Sequence, residues 1–142
     1  MWTVEDHTAD VRLRVEAADW PALLAEAVVA FAGWVSAAEA DGAAAARTVE
    51  RPVEVTGADA AATWVRWWRA LHRLWTVEGL LPVEAHRLEA PEPTSARAVV
   101  RCLPAEALDA ARCADVKAVT WHGAEAGPGG DGLWRGRIVL DI

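Results

Sequence analysis

The chain has 142 residues with a formal net charge of −7, 54% apolar and 25% charged. That size supports one domain over residues 1–142, with a core that needs no disulfide or metal staple, and the composition excludes disorder. The acidic balance argues against direct nucleic-acid binding, since phosphates are met by clustered Lys and Arg, and no apolar run approaches the ~20 residues of a membrane span.

The opening MWTVEDHTAD is charged within five residues, unlike a secretory signal, so a cytoplasmic protein is expected. VRLRV (11–15) alternates strictly and predicts a half-buried strand. Asp19 and Pro21 then signal a helix start. Leu24, Ala27, Val28, Phe31 and Val35 form its apolar stripe, widened by Leu23 and Trp34, and Asp41-Gly42 marks its end. RTVERPVEV (47–55) reads as a strand placed at an edge or bulge by Pro52.

A second helix opens near Asp59 and runs to Gly79. Trp64, Trp68, Leu71 and Trp75 make its buried stripe, with Arg66, Arg69 and Arg73 beside it as a solvated face or, alternatively, a docking surface. His72 is read as a packing residue at the boundary. Strands are expected at 83–89 and 96–102, followed by a short helical or turn segment, PAEALDAARC. DVKAVTW (115–121) reads as a strand with Val116, Ala118 and Thr120 on one side and Asp115, Lys117, Val119 and Trp121 on the other. GAEAGPGGDG is expected to be a loop or hairpin connection before a last strand, LWRGRIVLDI. The order predicts a two-layer α+β fold, two long helices on a mostly antiparallel, mixed sheet.

Nine tryptophans and thirteen arginines against one lysine indicate a coding bias, so residues that resist it are informative. Lys117 is that lysine, and an ammonium is not interchangeable with a guanidinium. Cys102 and Cys113 lack redox or zinc spacing and read as buried, reduced thiols. GPGG precedes a strand and not a helix N-terminus, which excludes a phosphate cradle.

DHTAD (6–10) puts two carboxylates and an imidazole before a strand, where ligands are often displayed; Asp6 and Thr8 as turn formers and Asp10 as a cap are the plainer reading. The ending IVLDI is a strand around one aspartate. If that strand is central, the Ile142 carboxylate sits beside Asp141, and Asp10 would complete an oxygen-donor site suited to calcium or magnesium. His7 and His122 are weaker candidates, and His122 reads equally as a satisfied strand-end residue.

HTAD near the start, VKAVTWH about twenty residues before the end and a terminal DI resemble the archease family, with both long helices between the motifs in the family's order. The resemblance implies a non-catalytic accessory protein of the RtcB-type GTP-dependent RNA ligase of tRNA splicing and RNA repair. It would promote guanylylation of the ligase histidine and multiple turnover. It also implies a divalent cation, Ca2+ foremost with Mg2+ or Mn2+ as alternatives, on Asp10, Asp141 and Ile142, with Lys117 as the functional cation. Trp121 stands where the family usually has tyrosine. Two rival functions are a stand-alone metal-dependent nucleotide phosphohydrolase and a chaperone-like protein-binding module.

Overall fold

A computed structural model describes residues 1–7, 10–41 and 47–142, with side chains for all of these except residues 6, 7, 37–41 and 110. Thr8 and Gly42, both expected in turns, lie outside these residues. The chain runs β1 (Trp2–His7), β2 (Asp10–Ala17), α1 (Trp20–Asp41), β3 (Val49–Thr56), α2 (Ala60–Thr76), β4 (Leu80–Glu89), β5 (Ser95–Pro104), β6 (Ala118–Pro128) and β7 (Trp134–Asp141). The two-layer α+β architecture is the expected one. The sheet, however, is divided into a four-stranded part ordered β1-β2-β7-β6 and a three-stranded part ordered β3-β5-β4, with antiparallel pairing throughout.

Local chemistry starts both helices. The Asp19 carboxylate accepts the Ala22 amide at 2.9 Å, and Asp59 accepts that of Ala62 at 2.8 Å, satisfying amides that lack a partner in a first turn. Residue Ser36 leaves helical geometry inside α1 (φ −159°, ψ 79°). The Val35 carbonyl there accepts the Ala114 amide at 2.8 Å, tying the chain ahead of Lys117 to α1. Pro52 does lie on an edge strand, β3, where a missing amide costs least.

The core joins alternate residues of β2 (Val11, Leu13, Val15) to Leu23, Leu24 and Phe31 of α1 and to the tryptophans of α2. Trp64, Trp67 and Trp68 are all fully buried, so the stripe is wider than the spacing of Trp64, Trp68 and Leu71 suggests, while Trp75 is only half-buried. Two of these indoles use the polar handle: Trp67 Nε1 donates to the Leu24 carbonyl at 3.0 Å and Trp64 Nε1 to the Arg137 carbonyl at 2.9 Å. The Trp64 ring lies in a notch at Gly136, where an added Cβ would come within 2.5 Å of Cζ2.

Three expectations are corrected. Residues 2–7 form a strand, which the charged pattern of MWTVEDH concealed. The segment before Ala118 is not strand, so the alternation assigned to 115–121 fails: Val116 and Val119 are both buried, three residues apart. Most of the expected loop 123–132 is the second half of β6, which reaches Pro128. Of the two cysteines, both free, Cys102 is buried and Cys113 only half-buried; burial pushes the Cys102 thiol up to about 12. Among the described residues no helix is long and apolar enough to cross a membrane.

Gly136→Ala is expected to destabilise the fold by about 1–3 kcal/mol, the usual cost of forcing extra volume into a packed core. Urea denaturation followed by circular dichroism measures it, and an unchanged midpoint would remove the notch from the account.

Candidate functional site

β7 is an interior strand, hydrogen-bonded to β2 on one side and β6 on the other. Its inward residues, Gly136, Ile138 and Leu140, face the core, so Arg135, Arg137, Val139 and Asp141 share the outer face. On β2 the same rule puts Asp10, Arg12, Arg14 and Glu16 outward. Register pairs Asp10 with Asp141, Arg12 with Val139, Arg14 with Arg137 and Glu16 with Arg135. Two aspartates are therefore direct cross-strand neighbours on one face, with Cβ atoms about 4.5–5.5 Å apart for such a pair. Ile142 follows immediately, its side chain partly buried against the core.

Lys117 reaches this place without belonging to the strand. Its amide donates to the Asp141 carbonyl at 2.7 Å, one residue before Ala118 pairs with Asp141 in β6. Helix α2 holds both flanks of the segment. His72 Nε2 donates to the Val116 carbonyl at 2.7 Å, and Arg69 Nε donates to the Val119 carbonyl at 3.3 Å. With the Ala114 tie to α1, four hydrogen bonds hold residues 114–119. The Lys117 side chain is exposed. His72 is thus the packing residue expected from its position.

The pairing of β6 with β7 then breaks. Thr120 pairs with Val139 and Glu125 with Arg137, so four residues of β6, 121–124, stand opposite the single residue Ile138. Gly123 takes φ +74°, and a Cβ there would lie 3.6 Å from Val139 Cγ2, so the bulge folds over the outer face. It helps to wall a cleft of about 150 Å³ lined by Glu5, Arg12, His122, Glu125, Arg137 and Val139. His122 is exposed there, one step along the sheet face from Asp10 and Asp141, and it lies inside β6 within the bulge and not at a strand end. His7 pairs through its backbone with Val11.

A model of the archease protein family (MTH1598/TM1083) matches residues 2–142. The chain belongs to the archease family. Its fold is similar to the solution structure of Methanobacterium thermoautotrophicum protein 1598, with a TM-score of 0.72 at 20% identity, covering 99% of this chain and 98% of that one. No curated protein matches by sequence. Membership supports an accessory role.

Of the residues singled out in this archease chain, Asp10, Asp141, Ile142 and the Lys117 backbone converge at one end of the β2-β7-β6 face, and His122 lies beside them. Like charges directly opposite on neighbouring strands are unfavourable, so the aspartate pair is an electrostatic liability that a cation would relieve. The donors are hard oxygens, which fits Ca2+ or Mg2+. Among the described residues no third His, Cys, Asp or Glu side chain joins the pair, so backbone carbonyls are the further donors at hand. Elsewhere on this face three of the four arginines meet carboxylates among the described residues. Arg14 and Arg135 both meet Glu16, at 2.5 and 3.0 Å, Arg135 also pairs with Asp131, and Arg137 meets Glu5 at 3.0 Å. The Arg135 hydrogen bond foremost holds the Glu16 carboxyl below its ordinary value.

What the sequence did not disclose is the role of Arg69. It read as part of a solvated stripe, yet it braces β6 and lies against the Trp121 ring, its guanidinium carbon 5.8 Å from the centroid.

Asp141→Asn removes one charge of the facing pair. In the presence of a chelator it is expected to raise the unfolding free energy by about 0.2–1 kcal/mol, read from urea denaturation. A loss of that size would show that the two carboxylates do not repel in the folded chain.

Proposed function

We propose that this archease activates an RtcB-type RNA ligase of tRNA splicing and RNA repair, promoting GTP-dependent guanylylation of the ligase histidine and repeated turnover. The observation that carries the reading is the facing pair Asp10 and Asp141, with the Lys117 amide on the Asp141 carbonyl. Residues from three distant parts of the sequence meet there, and none of the Asp10, Lys117 and Asp141 side chains serves the core.

Asp10, Asp141 and the Ile142 carboxylate would hold a divalent cation, Ca2+ foremost. Bound there, such an ion supplies positive charge to phosphate oxygens during nucleotidyl transfer, a reaction catalysed mainly by positioning and charge neutralisation. Lys117 brings a compact ammonium on a flexible stem to the same edge. Its backbone is fixed on both sides, so the ammonium is delivered from a rigid base and only the stem needs ordering. The cross-strand register keeps the carboxylates together whether or not the ligase is docked. The His72 and Arg69 hydrogen bonds would keep the lysine segment from peeling off the sheet when it is loaded. The archease would then work as a charged insert beside the ligase's nucleotide pocket, with the ligase performing the chemistry.

Lys117→Arg preserves charge but replaces a point ammonium by a planar fork. The variant is expected to lower the initial rate of ligase guanylylation about tenfold or more, equivalent to ~1.4 kcal/mol in the transition state. The assay counts radiolabelled GMP on the ligase histidine. A rate equal to the unaltered protein would show that any cation suffices.

A further inference from the structure

Eight of the nine tryptophans pack in or against the core, and six of the thirteen arginines meet carboxylates among the described residues, while several of the remaining cations gather on one side of the fold. Arg14, Arg51, Arg97, Arg101, Arg135 and Arg137 each meet a carboxylate. Among the described residues Arg66, Arg69, Arg73 and Lys117 meet none: Arg66 and Arg69 donate to backbone carbonyls, and all four side chains are exposed. On a chain of net charge −7 this leaves a run of unneutralised cations along one side of α2 and onto the start of β6. Arg69 and Arg73 are one turn apart and flank His72, which is bonded to the residue before Lys117.

Trp121 joins this run through Arg69. It is the one tryptophan that is exposed, at 47%, and the four-residue bulge at 121–124 displaces it from the regular pairing of the sheet. Arg69 lies against its ring. The side chain is thus held in place before any partner arrives, so little rotamer freedom remains to be lost on binding. Tryptophan and arginine are the residues enriched among those that dominate binding energy at protein interfaces. A bulge is also a common means of re-aiming a side chain beside a functional site.

We propose that Trp121, with Arg69 against its ring and Arg73 and Lys117 further along the same run of cations, is the anchor of a docking surface for a protein partner that presents carboxylates around an apolar slot. The unneutralised cations set the sign of the partner's rim, and the exposed indole sets the need for a slot. A nucleic acid fits less well, because the acidic chain repels a polyanion and the Asp10–Asp141 pair stands on the neighbouring strands. The surface is continuous with the Lys117 segment, so docking here brings the aspartate edge against the same partner. The proposal rests on the accessory reading above and names the face that this role uses.

The test is surface-immobilised RtcB-type ligase from the same cell, titrated with the unaltered protein and with Trp121→Ala, Arg73→Glu and Glu92→Gln, each checked for native circular dichroism. Trp121→Ala is expected to weaken binding at least about tenfold through faster dissociation, and Arg73→Glu to slow association with a reduced dependence on salt. Glu92→Gln, exposed in the turn between β4 and β5, is expected to bind like the unaltered protein. Unchanged affinity of Trp121→Ala and Arg73→Glu beside tight binding of the unaltered protein would overturn the docking face and leave the accessory role standing. Failure of the unaltered protein to bind would overturn both. A parallel titration with fluorescent single-stranded RNA covers the remaining outcome: loss of RNA binding in Trp121→Ala with ligase binding intact would reassign the patch to nucleic acid and overturn the proposal.

Discussion

The seat of Trp64 in the Gly136 notch is the contact on which the rest of the structure depends. A bulky indole can approach β7 that closely only because no Cβ intervenes, and its N–H closes on the next residue's carbonyl. That contact joins α2 to an interior strand, not an edge. With β7 held between β2 and β6, the hydrogen-bond register leaves no choice at its end: Asp141 faces Asp10 on one side and receives the Lys117 amide on the other. The same helix, one and two turns further on, grips the segment around Lys117 through Arg69 and His72. Packing in the core and geometry at the rim are thus one mechanical system.

The rim divides its charges by task. Along the outer face of β2 and β7 most arginines are matched to carboxylates, which makes that surface electrostatically quiet. The aspartate pair is the exception of one sign, and the α2 arginines with Lys117 are the exception of the other. Opposite imbalances beside each other suit a protein that must hold a cation and also meet a charged partner. A single-sign patch would serve only one of those ends.

Much of the fold was legible in the sequence because the signals were local. Asp19 and Asp59 start helices through their own side chains, and VRLRV alternates as a half-buried strand must. The last strand was likewise readable, since Ile138, Val139 and Leu140 are strand formers in sequence. What escaped was decided by distant contacts. β1 is a charged edge strand that pairs only because β2 is beside it. The segment 115–117 carries strand-like residues but is drawn out of the sheet by α1, whose Val35 carbonyl takes the Ala114 amide, and by α2, whose His72 takes the Val116 carbonyl. The bulge at 121–124 depends on Gly123 adopting a positive φ, and nothing in the apolar pattern marks it. Asp10, Lys117, Asp141 and Ile142 were nameable as candidates; that Asp10 and Asp141 are exact cross-strand neighbours required the register.

The central claim is that the Asp10–Asp141 edge is a divalent-cation site. Its most direct test is a Ca2+ titration of 15N-labelled protein followed by amide chemical shifts. The expected result is saturable shifts confined to residues around Asp10, Lys117, Asp141 and Ile142, with β3, β4 and β5 unmoved. Shifts that fail to appear, or that centre on the carboxylates of the three-stranded sheet, would contradict it.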